Sequence, residues 1–515
     1  MRFLPSKLQT LAVAGAVSLV GVSACDLEVV NPNEPDRDRA LSEPGDIESL
    51  IAGTYSTWWD QVHGAGDELA MVRALSSASE VLASAAANHF ASDNNQQPRI
   101  NLTNAIGYQW GRSLRAPWME LNQALAAIRD GVLVIEGSNL EIGAGGQDTP
   151  RTLAFAKLMQ GLIHAYIANV FNQGFIIDET VDTEAAVESA DLRSYGEVAQ
   201  AARGYLQAAR QIAGSNSFTI PAGWMGTSVS SDNLVRMINS WEARLMTTVA
   251  RTPEERASVN WSEVMSLAQA GVTSDYGINT VPGDVWDDAY NLPHNLAIRF
   301  LGPSDQSGGW QAYEAAGPRD RFPFHVETDD QRVHAPGDPH ASGTLVEIPG
   351  TLFGDAQRGI WFVTPYRTWK WRDKADTGFG FINELTVREM EFLMAEAHIR
   401  MGNPEAALPY INPSREAAGL PPATVEGVSG DRCVPRTITG ACGSVLFAMW
   451  YEKSMELLFE SGGLDFFDQR GFGTLRMGTP LHMPVIAEEL EALSLEVYSF
   501  GGEGTPGTAA GWSLR

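Results

Sequence analysis

Residues 151–171 carry two apolar stripes of different bulk at one helical period. Phe155, Met159, Leu162, Tyr166 and Val170 make a stripe of large side chains, and Ala154, Gly161, Ala165 and Ala168 make a stripe of small ones beside it. A helix with one bulky and one small face packs two neighbours, and the small face lets one backbone come close. Such a segment restricts its chain to folds that stack helical hairpins. Amphipathic patterns recur at residues 47–59, 70–87, 118–134, 195–212, 232–250 and 261–270, and again at 385–401, 406–417 and 445–460. Ala395-Glu396-Ala397-His398 leads through Gly402, Asn403 and Pro404 into Glu405, Ala406 and Ala407. A small-residue helix, a Gly-Asn turn and an Ala-rich helix make the pattern of a tetratricopeptide hairpin. No copy recurs at a fixed period, so the repeats are degenerate.

Between these two helical regions the pattern breaks. Residues 276–381 are rich in Gly, Pro and aromatics and include Trp286, Tyr290, Trp310, Tyr313, Trp361, Tyr366, Trp369 and Trp371. Irregular stretches of this length are functional or disordered, and the aromatics argue against disorder. If residues 366–373 are extended, Arg367, Trp369, Trp371 and Asp373 share one face. Two readings stand for each Trp. An exposed indole stacks on a sugar ring while neighbouring polar groups bond its hydroxyls. A buried one is simply the core of the insert, as most large aromatics are. Tyr108 and Trp110, near an Asn-rich stretch at 88–95, form a second patch open to both readings.

The signatures of catalysis are sparse. The sequence has no HExxH, no GxSxG and no GxxxxGK[ST]. His325, His334 and His340 lie near Asp329, Asp330 and Asp338, but their spacing fits no metal-site pattern, and a solvated polar loop is the better reading. The acidic pair Asp287 and Asp288 is a weak glycosidase signal, since sequence cannot measure a carboxylate separation. No metal or cofactor is expected.

The formal net charge is −27. Nucleic acid and anionic membrane surfaces are unlikely partners for such a chain. At the amino terminus, Arg2 and Lys7 flank a start followed by an apolar run at 11–22, too short to span a bilayer. It ends in Val22-Ser23-Ala24-Cys25, the pattern of a bacterial lipoprotein signal cleaved before an acylated Cys25. Cleavage there removes Arg2 and Lys7 and makes the charge two units more negative. A polar Asn-Pro-Asp-rich tether would follow to about residue 44. In an exported protein the remaining cysteines, Cys433 and Cys442, are expected to pair.

Five phrases stand in order in the C-terminal third: residues 393–397 (LMAEA), 411–421 (INPSREAAGLP), 452–460 (EKSMELLFE), 465–470 (DFFDQR) and 484–490 (PVIAEEL). Their order and spacing resemble the SusD/RagB family of outer-membrane nutrient-binding lipoproteins. The lipobox, the tether and the 151–171 helix also fit. Departures are Pro413, which should kink or stop its helix early, Ser461-Gly462-Gly463 without the family's usual Arg, and the loop cysteines. The resemblance implies an all-α, tetratricopeptide-like helical superhelix with an irregular, aromatic-rich ligand-binding insert. Its segments would be a signal at 1–24, a tether at 25–44, helical regions at 45–275 and 382–515, and the insert at 276–381. It further implies a non-catalytic protein that captures an oligosaccharide or peptide and hands it to a TonB-dependent (SusC-like) barrel. Its place would be the outer-membrane surface, held there by the Cys25 lipid. Asp26 after Cys25 is a retention signal for the inner membrane in some bacteria, so the outer-membrane expectation rests on the resemblance. The expected ligand residues are Tyr108, Trp110, Trp286, Trp310, Trp369 and Trp371. A periplasmic tetratricopeptide scaffold and a secreted α-helical glycosidase are the competing functions.

Overall fold

A computed structural model describes residues 43–64, 70–82, 90–96, 98–109, 111–182, 189–291, 304–306, 326–348 and 364–511. Cys25, Trp110, Trp310 and His325 lie outside them, as do the signal segment and nearly all of the tether.

Helices begin where side chains can take the unpaired N–H groups of a first turn. Ser194 and Glu197 form a reciprocal capping box that opens the helix Tyr195–Ser215. Ser230, Asn260, Thr386 and Ser444 accept from the third residue beyond in the helices Ser231–Thr248, Trp261–Gln269, Val387–Arg400 and Val445–Glu456. The pattern at 47–59 becomes two helices, Pro44–Ala52 and Thr54–His63, because Gly53 interrupts it. The pattern at 445–460 ends early, at Glu456. Phe459, Ser461, Gly462 and Gly463 all take positive φ there, which no helix continues. Pro413 does not stop its helix, which runs Leu408–Ala417. Asn412 clamps the segment beyond, accepting from Ala423 N at 2.8 Å and donating to Ala423 O at 3.2 Å.

The helices pack as a row, each on the next. Arg112–Gly137 lies on Thr149–Val170, then Tyr195–Ser215, Ser231–Thr248, Trp261–Gln269 and Val387–Arg400 follow, and the row closes on Leu408–Ala417 and Val445–Glu456. Thr149–Val170 is covered on nearly every side, as its two stripes require. Its small face admits Tyr195–Ser215 so closely that a Cβ on Gly161 would sit 2.7 Å from Leu206. Gly402, at φ +80°, makes the turn from Val387–Arg400 toward Leu408–Ala417.

The insert is closed at its base by an antiparallel ladder of Tyr276–Thr280 with Gly380–Leu385. Gly277 is required there, since a Cβ would collide with Ile382 O at 2.0 Å. Cys433 and Cys442 are joined as a disulfide, their Cα atoms 5.7 Å apart. Among the described residues no helix is long and apolar enough to cross a membrane.

Buried ion pairs lock the row together. Arg256 forks onto Glu396 at 2.7 and 2.8 Å and reaches Asp468 at 3.0 Å, and Lys453 meets Asp468 at 2.6 Å. Glu452 holds Arg332 at 2.8 Å and Arg415 at 3.0 Å. Arg470 donates to three backbone carbonyls, of Asn169, Leu481 and Thr248, at 2.7–2.8 Å. Glu384 binds His63 at 2.9 Å, Trp241 at 2.7 Å and Arg244 at 2.6 Å. Burial pushes the Glu384 carboxyl up, and Arg244, His63 and Trp241 more than reverse it, leaving it below the usual range.

Candidate functional site: a polar cleft at the helix ends

The end of Thr54–His63, the start of Met71–Ala78 and the first turns of Arg112–Gly137 come together at one corner of the row. They leave a cleft of about 290 Å³ lined by Asp60, Gln61, Gly64, Ala70, Met71, Arg112, Ser113, Ala116, Pro117 and Glu120. Arg112, Ala116 and Glu120 recur every fourth residue and so share one helix face. Gln61 donates to Asp60 at 2.9 Å, which fixes its amide, and Tyr166 Oη donates to Gln61 O at 3.2 Å. Gly64, at φ +76°, brings the chain so close to the insert that a Cβ would lie 3.1 Å from Ala289 Cβ. The lining mixes carboxylate, amide, hydroxyl and guanidinium groups over Met71, Ala116 and Pro117. Such a wall both donates to and accepts from hydroxyls, which suits a polyhydroxylated ligand.

Two of the sequence-predicted residues stand outside this lining, beside the helices that form it. Trp286 is half-buried and sets its ring edge-on to Trp59 at 6.2 Å and to Tyr55 at 6.1 Å. Trp59 in turn donates to Asp287 O at 3.0 Å, which pins the insert to the Thr54–His63 helix. Tyr108 stands one turn before Arg112 and is half-buried, its hydroxyl bonded to Asp93 and its ring 6.2 Å from Phe90. Burial, with Asp93 as hydrogen-bond acceptor, raises its pKa.

The structure separates the other two. Residues 366–373 are not one extended run. Arg367–Thr368 is a strand, and a helix begins at Arg372, so Trp369 and Trp371 do not share a face. Trp371 is 7% exposed, donates to Phe459 O at 3.0 Å and packs 5.1 Å from Tyr290, which makes it core. Trp369 is 38% exposed, with the Arg372 guanidinium 5.4 Å over its ring.

The weak chemical candidates are occupied structurally. Asp288 is buried and paired with Lys374 at 2.8 Å, and Asp287 accepts from Gly283 N at 2.7 Å. Asp330 is held by Arg332 and by Tyr451 Oη at 2.6 Å, and Asp329 by Arg432. His334 accepts from Thr328 N at 3.3 Å and donates to Ala335 O at 3.0 Å. Among the described residues no group of His, Cys, Asp or Glu is arranged to hold a metal.

Sequence reasoning missed Asp60, Gln61, Arg112, Ser113 and Glu120. Its one available signal was the charged-small-charged stripe Arg112, Ala116, Glu120.

The chain is thus a row of helical hairpins, with an irregular insert pinned to it beside an open polar cleft. Its fold is that of the SusD superfamily. A SusD superfamily protein from Bacteroides vulgatus ATCC 8482 superposes with a TM-score of 0.53 at 13% identity, covering 88% of this chain and 97% of that one. A SusD homolog from Parabacteroides distasonis ATCC 8503 gives 0.50 at 14% identity, covering 85% and 86%. The sequence matches no family model and no curated protein.

Proposed function

We propose that this protein is a non-catalytic capture protein of the SusD/RagB family, which binds an oligosaccharide nutrient in the cleft between Asp60 and Glu120. Asp60, Gln61, Arg112, Ser113 and Glu120 supply the hydrogen bonds. The observation that carries this reading is the superposition over nearly the full length of a SusD superfamily structure. Four of the five C-terminal phrases support it independently, since their charged residues form buried pairs of the frame. In this reading the acylated Cys25 tethers the protein to the outer-membrane surface, and the cargo passes to a TonB-dependent barrel.

The test is a glycan and peptide array probed with the full chain, followed by gentle detergent extraction and affinity capture. Retention of neutral oligosaccharides and co-isolation of a large β-barrel are expected. A second reading has one observation in its favour: Asp60 and Glu120 line the same cleft, and a glycosidase works with two carboxylates across a sugar. Recovery of cleaved rather than intact oligosaccharide would favour it.

A further inference from the structure

A separate cleft of about 180 Å³ opens where the first turns of the helix Ser231–Thr248 meet the chain at 227–229 and the loop 272–275, which leads into the strand Tyr276–Thr280. Its walls are tied to the frame. Ser240 Oγ accepts from Val272 N at 2.9 Å, Asp275 Oδ1 accepts from Val387 N at 2.8 Å, and Tyr276 Oη donates to Met225 O at 2.9 Å. A cleft held in this way loses little on binding to the ordering of its own walls.

The polar side chains that line it are uncommitted. Among the described residues Arg236 is the one Lys or Arg whose side chain has no hydrogen bond, ion pair or ring contact. The chain holds 63 acidic residues against 36 basic ones, so a guanidinium readily finds a carboxylate. Asp275 lines the same cleft, yet the two do not pair, and no described residue donates to Asp275 Oδ2. The hydroxyls of Thr227, Ser228, Thr273 and Ser274, on the same lining, bond to no described residue. A guanidinium presents a planar fork of N–H donors that fits the two oxygens of a carboxylate. The open oxygen of Asp275 accepts from an ammonium or a hydroxyl. A small molecule that carries both groups satisfies both charges at once. A divalent anion meets the Asp275 charge, and a neutral sugar leaves the guanidinium without a counter-charge, so each fits less well.

We propose that this cleft binds a small carboxylate ligand with a hydrogen-bond donor beside the carboxylate, the carboxylate on Arg236 and the donor on Asp275. α-Amino acids and α-hydroxy acids share that chemistry. The site shares no lining residue with the cleft at Arg112 and does not depend on what that cleft takes.

The full chain would be titrated with propionate, lactate and alanine, followed by saturation-transfer difference NMR. The three acids share one carbon skeleton and carry no donor, a hydroxyl or an ammonium beside the carboxylate. Lactate or alanine is expected to bind roughly fivefold or more tightly than propionate, the worth of one hydrogen bond to a charged group. A preference for alanine assigns the donor as an ammonium, one for lactate as a hydroxyl, and either supports the site. Binding should persist in Arg112→Ala and disappear in Arg236→Gln, whose fold should be unchanged because the Arg236 side chain bonds to no other described residue. Asp275→Asn keeps the acceptor for Val387 N and should bring the preferred acid to within about twofold of propionate. Equal affinity for all three acids, binding that survives Arg236→Gln, a preference untouched in Asp275→Asn, or no binding of any acid would each overturn the proposal.

Discussion

The helical frame and the aromatic insert are built from different chemistry, and they respond differently to being read. In the frame, Arg256, Glu396 and Glu452 are fully buried, and each is matched by a partner from a distant helix. In the insert, Trp369 and Trp371 stand two residues apart, one 38% and the other 7% exposed. A buried charge without a partner is costly, so the identity of each frame residue is dictated by another residue. An indole packs in the core or stands at the surface at modest cost either way, so its identity says little about its role.

The comparison breaks first at Glu396. Glu396→Ala removes the forked partner of the buried Arg256, leaving it Asp468 alone, and should cost about 3 kcal/mol, measured by urea unfolding. A loss below about 1 kcal/mol would mean that the frame is not held by its ion pairs. Trp371→Ala should cost a similar 3–5 kcal/mol, the usual penalty for removing a buried large aromatic. Trp369→Ala should cost less than about 1 kcal/mol. Equal losses at the two positions would erase the distinction drawn within the insert.

A pH titration sharpens the frame side. Burial lowers the His164 imidazole to about 4, while its Nδ1 bonds Gln160 O at 2.6 Å and its Nε2 accepts from Ile177 N at 3.1 Å. Burial, with Arg251 and Arg470 nearby, lowers His482 to about 3. Below the ordinary histidine value of about 6.5 the unfolded chain binds these protons and the folded chain does not, so stability falls as pH drops from 6.5 toward 4. Asp465 opposes this, because burial raises its carboxyl to about 8 and so favours the folded state toward acid across that range. The difference between parent and His164→Gln isolates one group. The variant should lose roughly 2–3 kcal/mol less between pH 6.5 and 4 than the parent does. Parallel curves would show that His164 does not stay neutral in the fold. A smaller effect of roughly 2 kcal/mol is expected at the loop, where Cys433→Ser opens the disulfide-closed segment.

What could be read from the sequence follows the same division. The stripes of residues 151–171 were legible because a helix covered on two sides must alternate bulk, and Gly161 against Leu206 is the contact they foretold. The C-terminal phrases were legible because Glu396, Glu452 and Asp468 need fixed partners. Helix ends were less so: the positive φ at Phe459, Ser461, Gly462 and Gly463 is a backbone choice that periodicity does not encode. In the insert, the turn into a helix at Arg372 divided two tryptophans that an extended strand would have paired. The cleft was hidden for another reason. Asp60, Gln61, Arg112 and Glu120 come from the ends and outer faces of separate helices, and polar residues at such positions look like ordinary solvated surface.

The central claim is that the Arg112 cleft captures a sugar and leaves it unchanged. Calorimetric titration of the full chain and of Arg112→Ala, with the oligosaccharide best retained on an array and with that ligand recovered afterwards, tests it most directly. The account predicts saturable binding by the parent, at least about tenfold weaker binding in Arg112→Ala, and oligosaccharide recovered intact. Equal affinity in the two proteins, or recovery of shortened sugar, would contradict it.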